Sequence, residues 1–276
     1  MLEPVIRAAS AANPQKAGDY IQDDLLYCGV CRTPKQCRIS FMGNERVVSC
    51  MCQCAKEQAA LEEAERRKRE EADRIMRLRN SGIASQTHRN ARFEKDDGRN
   101  PDFMKKLHNY AKNWEEFKNQ NIGLLLYGDT GTGKSFGAAC IANYLIDRYI
   151  PTCMINLSTV LNSVGGFQSE DKNAYIANLM QYHLLILDDF GMERQTDFAL
   201  EQVFNIIDAR SRAELPLIIT TNLTVSAIEN PQDPAHKRIY DRISAMCQPI
   251  FAAGQSRRKV QAAEKTKIAA KLLGEK

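Results

Sequence analysis

Leu124-Leu-Leu-Tyr127 runs straight into Gly128-Asp-Thr-Gly-Thr-Gly-Lys134-Ser135-Phe136, and this stretch decides the fold. An apolar run of strand length ends in a turn with three glycines, and residues 136–149 then read as a helix. Gly128 to Ser135 fits G-x-x-x-x-G-K-[ST], the spacing of a phosphate-binding P-loop. The glycines let the backbone curl so that its N–H groups converge on phosphate oxygens. Lys134 brings a point charge to the β- and γ-phosphates, and the Ser135 hydroxyl suits Mg²⁺. The helix opening there adds its positive dipole end. The candidate nucleotide-binding residues are therefore Gly128, Asp129, Thr130, Gly131, Thr132, Gly133, Lys134, Ser135 and Phe136, with ATP and Mg²⁺ as ligands. Average residue usage produces the four constrained positions on the order of once in a hundred chains of this size. A strand before and a helix after make a chance glycine-rich turn the weaker account.

Toward the C-terminus, Leu184-Leu-Ile-Leu-Asp188-Asp189 is an apolar run tipped by two acids. Ligands of parallel sheets bind at the carboxyl ends of the strands. Asp188 is thus the candidate Mg²⁺ partner, and Asp189 the candidate base that polarises the attacking water. Leu217-Ile-Ile-Thr-Thr-Asn222 ends in a polar cluster, where Asn222 is placed to hold that water or merely to cap a turn. The strands 123–127, 152–156, 184–188 and 217–221 alternate with helical segments. That alternation predicts an α/β fold, a parallel sheet covered on both faces.

Toward the N-terminus, residues 55–80 contain neither Gly nor Pro, and Glu62 to Arg79 holds six acids and seven bases. Glu62/Arg66, Glu63/Arg67, Glu65/Arg69, Glu70/Arg74 and Asp73/Arg77 each place the acid four residues before the base, the favourable order on a helix. Apolar residues are too sparse for a buried stripe. The segment reads as an exposed charged helix ending at Ser81-Gly82, a spacer between two modules; the alternative is a helix packed along the nucleotide-binding domain.

Six of the nine cysteines fall between Cys28 and Cys54. Clustered thiols in a reducing compartment read as a metal site. Cys28-Gly-Val-Cys31 supplies one pair for tetrahedral Zn²⁺. Cys52 and Cys54 are the favoured second pair, with Cys50 as the alternative partner and Cys37 as a spare. With little apolar material nearby, metal would organise this module.

The chain has 276 residues, 43% hydrophobic and 26% charged, enough for one domain and a smaller module. No apolar run reaches the roughly 20 residues of a membrane helix, and residues 1–20 lack a signal-peptide core. The expectation is a cytoplasmic protein with no membrane partner. The formal net charge is +4, whereas residues 255–276 carry seven Lys or Arg against two acids, an excess of five. Such a tail suits nucleic acid, with the Tyr149 and Phe167 regions as sources of aromatic contacts, or it is simply solvated. The implied plan is a flexible N-terminus over 1–25, a cysteine-rich zinc module over 26–56, a charged linker helix over 57–82, an ATPase domain over 83–262 and a basic tail over 263–276.

The P-loop, the Leu-Leu-Ile-Leu-Asp-Asp strand, Ile-Ile-Thr-Thr-Asn-Leu and Arg238-Ile-Tyr-Asp-Arg242-Ile together resemble the AAA+ ATPases of the DnaC/DnaI helicase-loader family, which has the transposition helper IstB as a close relative. The resemblance spans residues 93–258. It implies an AAA+ core without a full helical lid, with Asn222 as the sensor-one residue. It makes Arg242 an arginine finger that reaches the ATP of a neighbouring subunit, in a homo-oligomer with ATP at its interfaces. Arg258, with Arg257 beside it, takes the sensor-two place. An arginine supplied in trans is worth roughly 10³–10⁵ in rate where γ-phosphate charge develops; the structural alternative for Arg242 is a salt bridge with Asp241 or another acid. Most AAA+ proteins carry Glu where this chain has Asp189, which implies slow, switch-like hydrolysis. The partners implied are a replicative helicase, met by the zinc module, and single-stranded DNA. The competing readings are an IstB-like DNA-binding ATPase that assists transposition and a nucleic-acid binder with a purely structural nucleotide site.

Overall fold

The computed structural model describes residues 15–41, 43–166, 169–191, 196–231, 233–254 and 256–273. Phe167 and the ends of the chain lie outside them. Two compact units divide between Asp73 and Arg74.

The first unit has two short antiparallel ribbons. Strand β1 (Tyr20–Gln22) pairs with β2 (Leu25–Tyr27), and β3 (Gln36–Phe41) with β4 (Asn44–Ser49). Among the described residues, its only buried apolar groups are the Cys28 and Cys52 side chains, so an ordinary hydrophobic core is missing. A buried ion pair contributes instead. Lys35 Nζ lies 2.6 Å from the Asp19 carboxylate, with both side chains at most 3% exposed. Asp19 also accepts the backbone N–H of Lys16 at 2.7 Å and of Gly29 at 3.0 Å. The Lys16 N–H first, then the Lys35 ammonium, hold the Asp19 carboxyl down at about 2. This anchor adjoins β1, whose residues fall inside the span 1–25 that sequence alone reads as loose.

Helix α1 (Gln53–Gly82) has 30 residues. Of its anticipated pairs, Glu63–Arg67 closes at 3.1 Å and Glu65–Arg69 at 3.8 Å, while Arg66 turns to Glu63 and Glu70. All these groups are solvated, where such pairs contribute little. From Arg74 onward the helix belongs to the second unit. There Ile75 and Leu78 pack on the core, and Arg79 pairs with Asp147.

The second unit continues through α2 (Gln86–Arg89), α3 (Pro101–Lys112), α4 (Trp114–Asn119), β5 (Gly123–Tyr127), α5 (Lys134–Ile146), β6 (Thr152–Asn156), α6 (Leu157–Gly165), α7 (Ser169–Leu179), β7 (Leu184–Phe190), α8 (Asp197–Arg212), β8 (Leu217–Thr221), α9 (Val225–Glu229), α10 (Pro234–Met246), β9 (Cys247–Phe251) and α11 (Arg257–Leu273). The strands form one parallel sheet in the order β6-β7-β8-β5-β9. Strand side chains alternate between faces. Leu184 and Ile186 face the cluster formed with α3 and α5, and Leu185 and Leu187 face that formed with α6, α8 and α10. Helix α5 is apolar nearly all round, and Ala138, Ala139, Ile141, Ala142, Leu145 and Ile146 are fully buried.

The fifth strand, β9, was not legible in sequence, because Pro249 cannot donate to a ladder. Proline is tolerated at a sheet edge, and β9 is the edge beside β5. A single helix, α11, follows it among the described residues. No helix there is long and apolar enough to cross a membrane.

Candidate functional site

Four parallel strands end at one rim. The loop after β5 is the P-loop, and Gly128, Gly131 and Gly133 have φ of +138°, +85° and +99°, which side chains rarely tolerate. At Gly128 the need is also steric. A Cβ there would meet the backbone oxygen of Ala252 at 2.6 Å. The segment entering α11 lies directly on the loop, with the Arg257 N–H donating to Gly131 O at 2.8 Å. Arg257 is fixed from its other side by Asp96 at 3.1 Å and Asp97 at 2.7 Å.

Lys134 opens α5 and is buried. Its ammonium donates to Gly128 O and Asp129 O at 2.7 Å and to Asn222 Oδ1 at 2.8 Å. Burial pulls its pKa below the ordinary value, while Asp189, Asp129 and Asp188 push it the other way.

The two acids at the tip of β7 differ in role. Asp188 is buried, and the Thr220 hydroxyl donates to its Oδ1 at 2.6 Å. The same hydroxyl accepts the Asp189 N–H at 3.0 Å. Asp189 sits at a bulge with φ +58°, which swings its side chain into the cleft. Asn156 Nδ2, at the tip of β6, donates to Asp189 Oδ2 at 3.2 Å. Burial, then the neighbouring Asp188, raises the Asp189 pKa above the ordinary carboxylate value, against the lowering effect of Arg258 and Lys134. A carboxylate of raised pKa in a cleft has the character of a general base.

The cleft over the P-loop measures about 700 Å³ and is lined by Thr130, Gly131, Gly133, Lys134, Ser135, Phe136, Asp189, Asn222, Arg257 and Arg258. It is lined as well by residues that sequence reasoning did not single out: Asn156 at the tip of β6 and Ser158 in the first turn of α6, Thr87 and His88 at α2, and Asp96 with Asp97. Asn156 stands at a strand tip like Asn222, a signal that was available. Asp96 and Asp97 had none, because their partner Arg257 is 161 and 160 positions away. The wall carrying His88 is braced from inside. Fully buried Asn143 donates to His88 O at 2.8 Å and accepts from Arg79 Nε at 2.9 Å. The loop glycines, the N-terminus of α5 and the clustered cations fit a triphosphate, and the oxygens of Ser135 and Asp188 are of the hard type Mg²⁺ takes.

Arg242 lies outside this cleft. It sits on α10, its Nη2 3.1 Å from Asp208 Oδ1 on α8. The acid it meets in its own chain is therefore Asp208, not Asp241.

In the first unit, the Sγ atoms of Cys28, Cys31, Cys52 and Cys54 all lie within 4.8 Å of one another. Four thiolates on tetrahedral Zn²⁺ stand about 3.8 Å apart, from Zn–S of about 2.3 Å; Cys28–Cys54 is 3.6 Å and Cys52–Cys54 3.4 Å. Cys50 Sγ instead donates to Pro34 O. The Cys54 N–H, then the Thr33 hydroxyl, bring Cys31 down to about 5, whereas the crowding thiols of Cys52, Cys31 and Cys28 push Cys54 up to about 12. Thiolates so close together repel, and a dication relieves that repulsion. The donor set fits zinc.

A P-loop, an acid-tipped strand and a polar-tipped strand, set side by side on a five-stranded parallel sheet, define an AAA+ ATPase domain. The chain belongs to the family described as IstB-like ATP binding protein, which matches residues 48–265. The replicative helicase loader DnaC of Buchnera aphidicola subsp. Schizaphis graminum is 27% identical over 134 residues, 47% of this chain and 54% of that protein. Escherichia coli (strain K12) DnaC is 25% identical over 191 residues, 68% of this chain and 77% of the relative. The chain thus spans little more than half the length of the Buchnera relative. Among solved structures, the crystal structure of DnaI superposes with a TM-score of 0.53 at 23% identity, over 65% of this chain and 98% of the other. That likeness concerns the fold.

Proposed function

We propose that this chain is an ATP-controlled loader of a replicative helicase. The observation that carries the reading is the convergence of Lys134, Asp189, Asn222 and Arg258 on one cleft over the P-loop, while Arg242 lies outside that cleft, available to a neighbouring copy. ATP phosphates lie against the loop N–H groups and Lys134. Ser135 and Asp188 would hold Mg²⁺, which would neutralise phosphate charge. Asp189 accepts a proton from the attacking water, Asn222 orients that water, and Arg258 meets the γ-phosphate. The shorter arm of Asp189 makes hydrolysis slow, so that ATP acts as a switch. The Cys28, Cys31, Cys52 and Cys54 zinc site organises the module that grips the helicase ring. The relatives named above are replicative helicase loaders, which supports this reading over transposition.

Copies assemble with ATP at their interfaces, and the basic side chains of α11 follow single-stranded DNA. The test combines two measurements. Tagged chain is used to capture a purified hexameric replicative helicase with and without ATP, and anisotropy is measured with labelled single- and double-stranded DNA at two salt concentrations. ATP-dependent capture and a preference for single strands support the loader. A preference for duplex without helicase capture moves the assignment to the transposition helper.

A further inference from the structure

Asp208 is a buried carboxylate that the nucleotide cleft does not use. It lies on α8 with its side chain 7% exposed, and it holds two arginines. Arg212, one turn further along α8, takes Oδ2. Arg242, on α10, stands 3.1 Å from Oδ1 with its side chain 48% exposed. The Oδ1 contact lacks the alignment of a good hydrogen bond, so charge attraction holds the guanidinium while its donors stay free to turn outward. Phe204 and Arg238, one turn before Asp208 and Arg242, line a recess of about 400 Å³ together with Asp241 and Arg242. Three guanidinium groups, of Arg212, Arg238 and Arg242, against the carboxylates of Asp208 and Asp241 leave a net positive face, complementary to a phosphate chain.

We propose that Asp208 is the positioning residue of Arg242, holding its guanidinium in the orientation that meets the triphosphate of a neighbouring copy. This rests on the reading of Arg242 as a finger acting in trans. A solvated arginine samples many rotamers, and a rigid buried anion at the root of its guanidinium selects among them. Pre-orientation of this kind acts on the reacting geometry more than on binding.

The test uses full-length chains in mixed assemblies. A Lys134→Ala chain keeps its finger but loses its own pocket, and an Arg242→Ala chain keeps its pocket but lacks a finger. Mixed, they recover turnover if the finger works in trans. Asp208→Asn is then placed in one chain or the other. In the finger-donating chain it lowers kcat of the mixture by about tenfold to a hundredfold with KM for ATP unchanged; in the Arg242→Ala chain, which has no finger to hold, it has no such effect. Asp208→Glu in the donor restores part of the loss. If Asp208→Asn does not fold, Asp208→Ser replaces it, since both guanidinium groups can then turn to water. Equal losses from either chain reduce Asp208 to a structural role, and no loss from either overturns the proposal outright. No recovery in the parent mixture sinks the trans reading of Arg242, and the proposal with it.

Discussion

Lys134 Nζ donates to Asn222 Oδ1 at 2.8 Å, tying the P-loop to the tip of β8 across 88 positions of sequence. The pair places the charge that binds phosphate beside the amide proposed to orient water, so the two substitutions separate binding from chemistry. Lys134→Ala removes hydrogen bonds to charged oxygens worth about 1.5–3 kcal/mol, a loss of roughly tenfold to a hundredfold in ATP affinity. Asn222→Ala keeps most affinity and loses about a hundredfold in kcat, as for other donors that act in the transition state. Calorimetric titration beside single-turnover hydrolysis distinguishes them. Unchanged affinity in Lys134→Ala would remove the nucleotide site from this cleft.

Asp189 has its pKa raised by burial and by Asp188. As a base it must be ionised, so turnover falls as pH drops through a value above the ordinary 3.8. Asn156 donates to the ionised form at 3.2 Å. Asn156→Ser keeps an oxygen able to cap α6 but loses that donor, and it shifts the acid limb of the kcat profile upward. The sign for stability is the reverse of the usual carboxylate case. The folded state holds this proton more tightly than the unfolded chain, so stability declines as pH rises from the unfolded value through the folded one. Above the folded value the full cost is present. Asp189→Asn therefore raises Tm in that range while abolishing turnover, and a lower Tm there would contradict this.

The thiol cluster sets an expectation about metal. Freshly purified protein carries one Zn²⁺ per chain by elemental analysis. Cys28→Ser and Cys31→Ser release it, whereas Cys37→Ser and Cys50→Ser do not, since neither belongs to the group of four. ATP affinity stays within about twofold, because the pocket is built by other elements, and ΔΔG values of separate sites are independent. Retained zinc in both Cys28→Ser and Cys31→Ser would show that other ligands hold it.

Arg210 is fully buried and donates to Tyr182 O at 2.7 Å, His183 O at 2.9 Å and Pro216 O at 2.6 Å. Burial lowers its pKa to about 10, so it stays charged at neutral pH and pins the entries of β7 and β8. Arg210→Ala orphans three carbonyls at about 1–3 kcal/mol each before relaxation and opens a cavity. The expected loss is about 3–5 kcal/mol, read as a lower urea midpoint. A change below about 1 kcal/mol would mean that water replaces the guanidinium without cost.

The basic helix sets the last expectation. Deleting residues 260–276 removes Lys265, Lys267, Lys271 and Lys276 but spares Arg257 and Arg258. Affinity for single-stranded DNA falls, and the slope of log K against log salt flattens by about 0.7 for each phosphate that is no longer neutralised. ATP affinity is unchanged. A salt slope equal to that of the full chain would show that α11 does not follow the backbone of DNA.

What the sequence determined by itself is local. Three glycines and a lysine at fixed spacing demand one loop conformation. Apolar runs of five or so residues between helical segments demand a parallel sheet buried on both faces, and β5, β6 and β8 coincide with the spans read from sequence. Acids and amides at the ends of those runs fall at the rim because strand ends share a rim. The pairings were decided only in three dimensions. Asp208 with Arg242, Asp96 and Asp97 with Arg257, and Thr220 across the two acids of β7 each join separate elements. Sequence alone already favours Cys52 and Cys54 over Cys50, and the fold gathers them with Cys28 and Cys31 while Cys50 turns toward Pro34 O. β9 remained hidden because Pro249 erases the strand signal, although its place at the edge, beside β5, tolerates proline. Backbone geometry and burial period are written in neighbouring residues. Which charged side chain meets which depends on how helices pack across a sheet, and no short stretch of this chain contains that information.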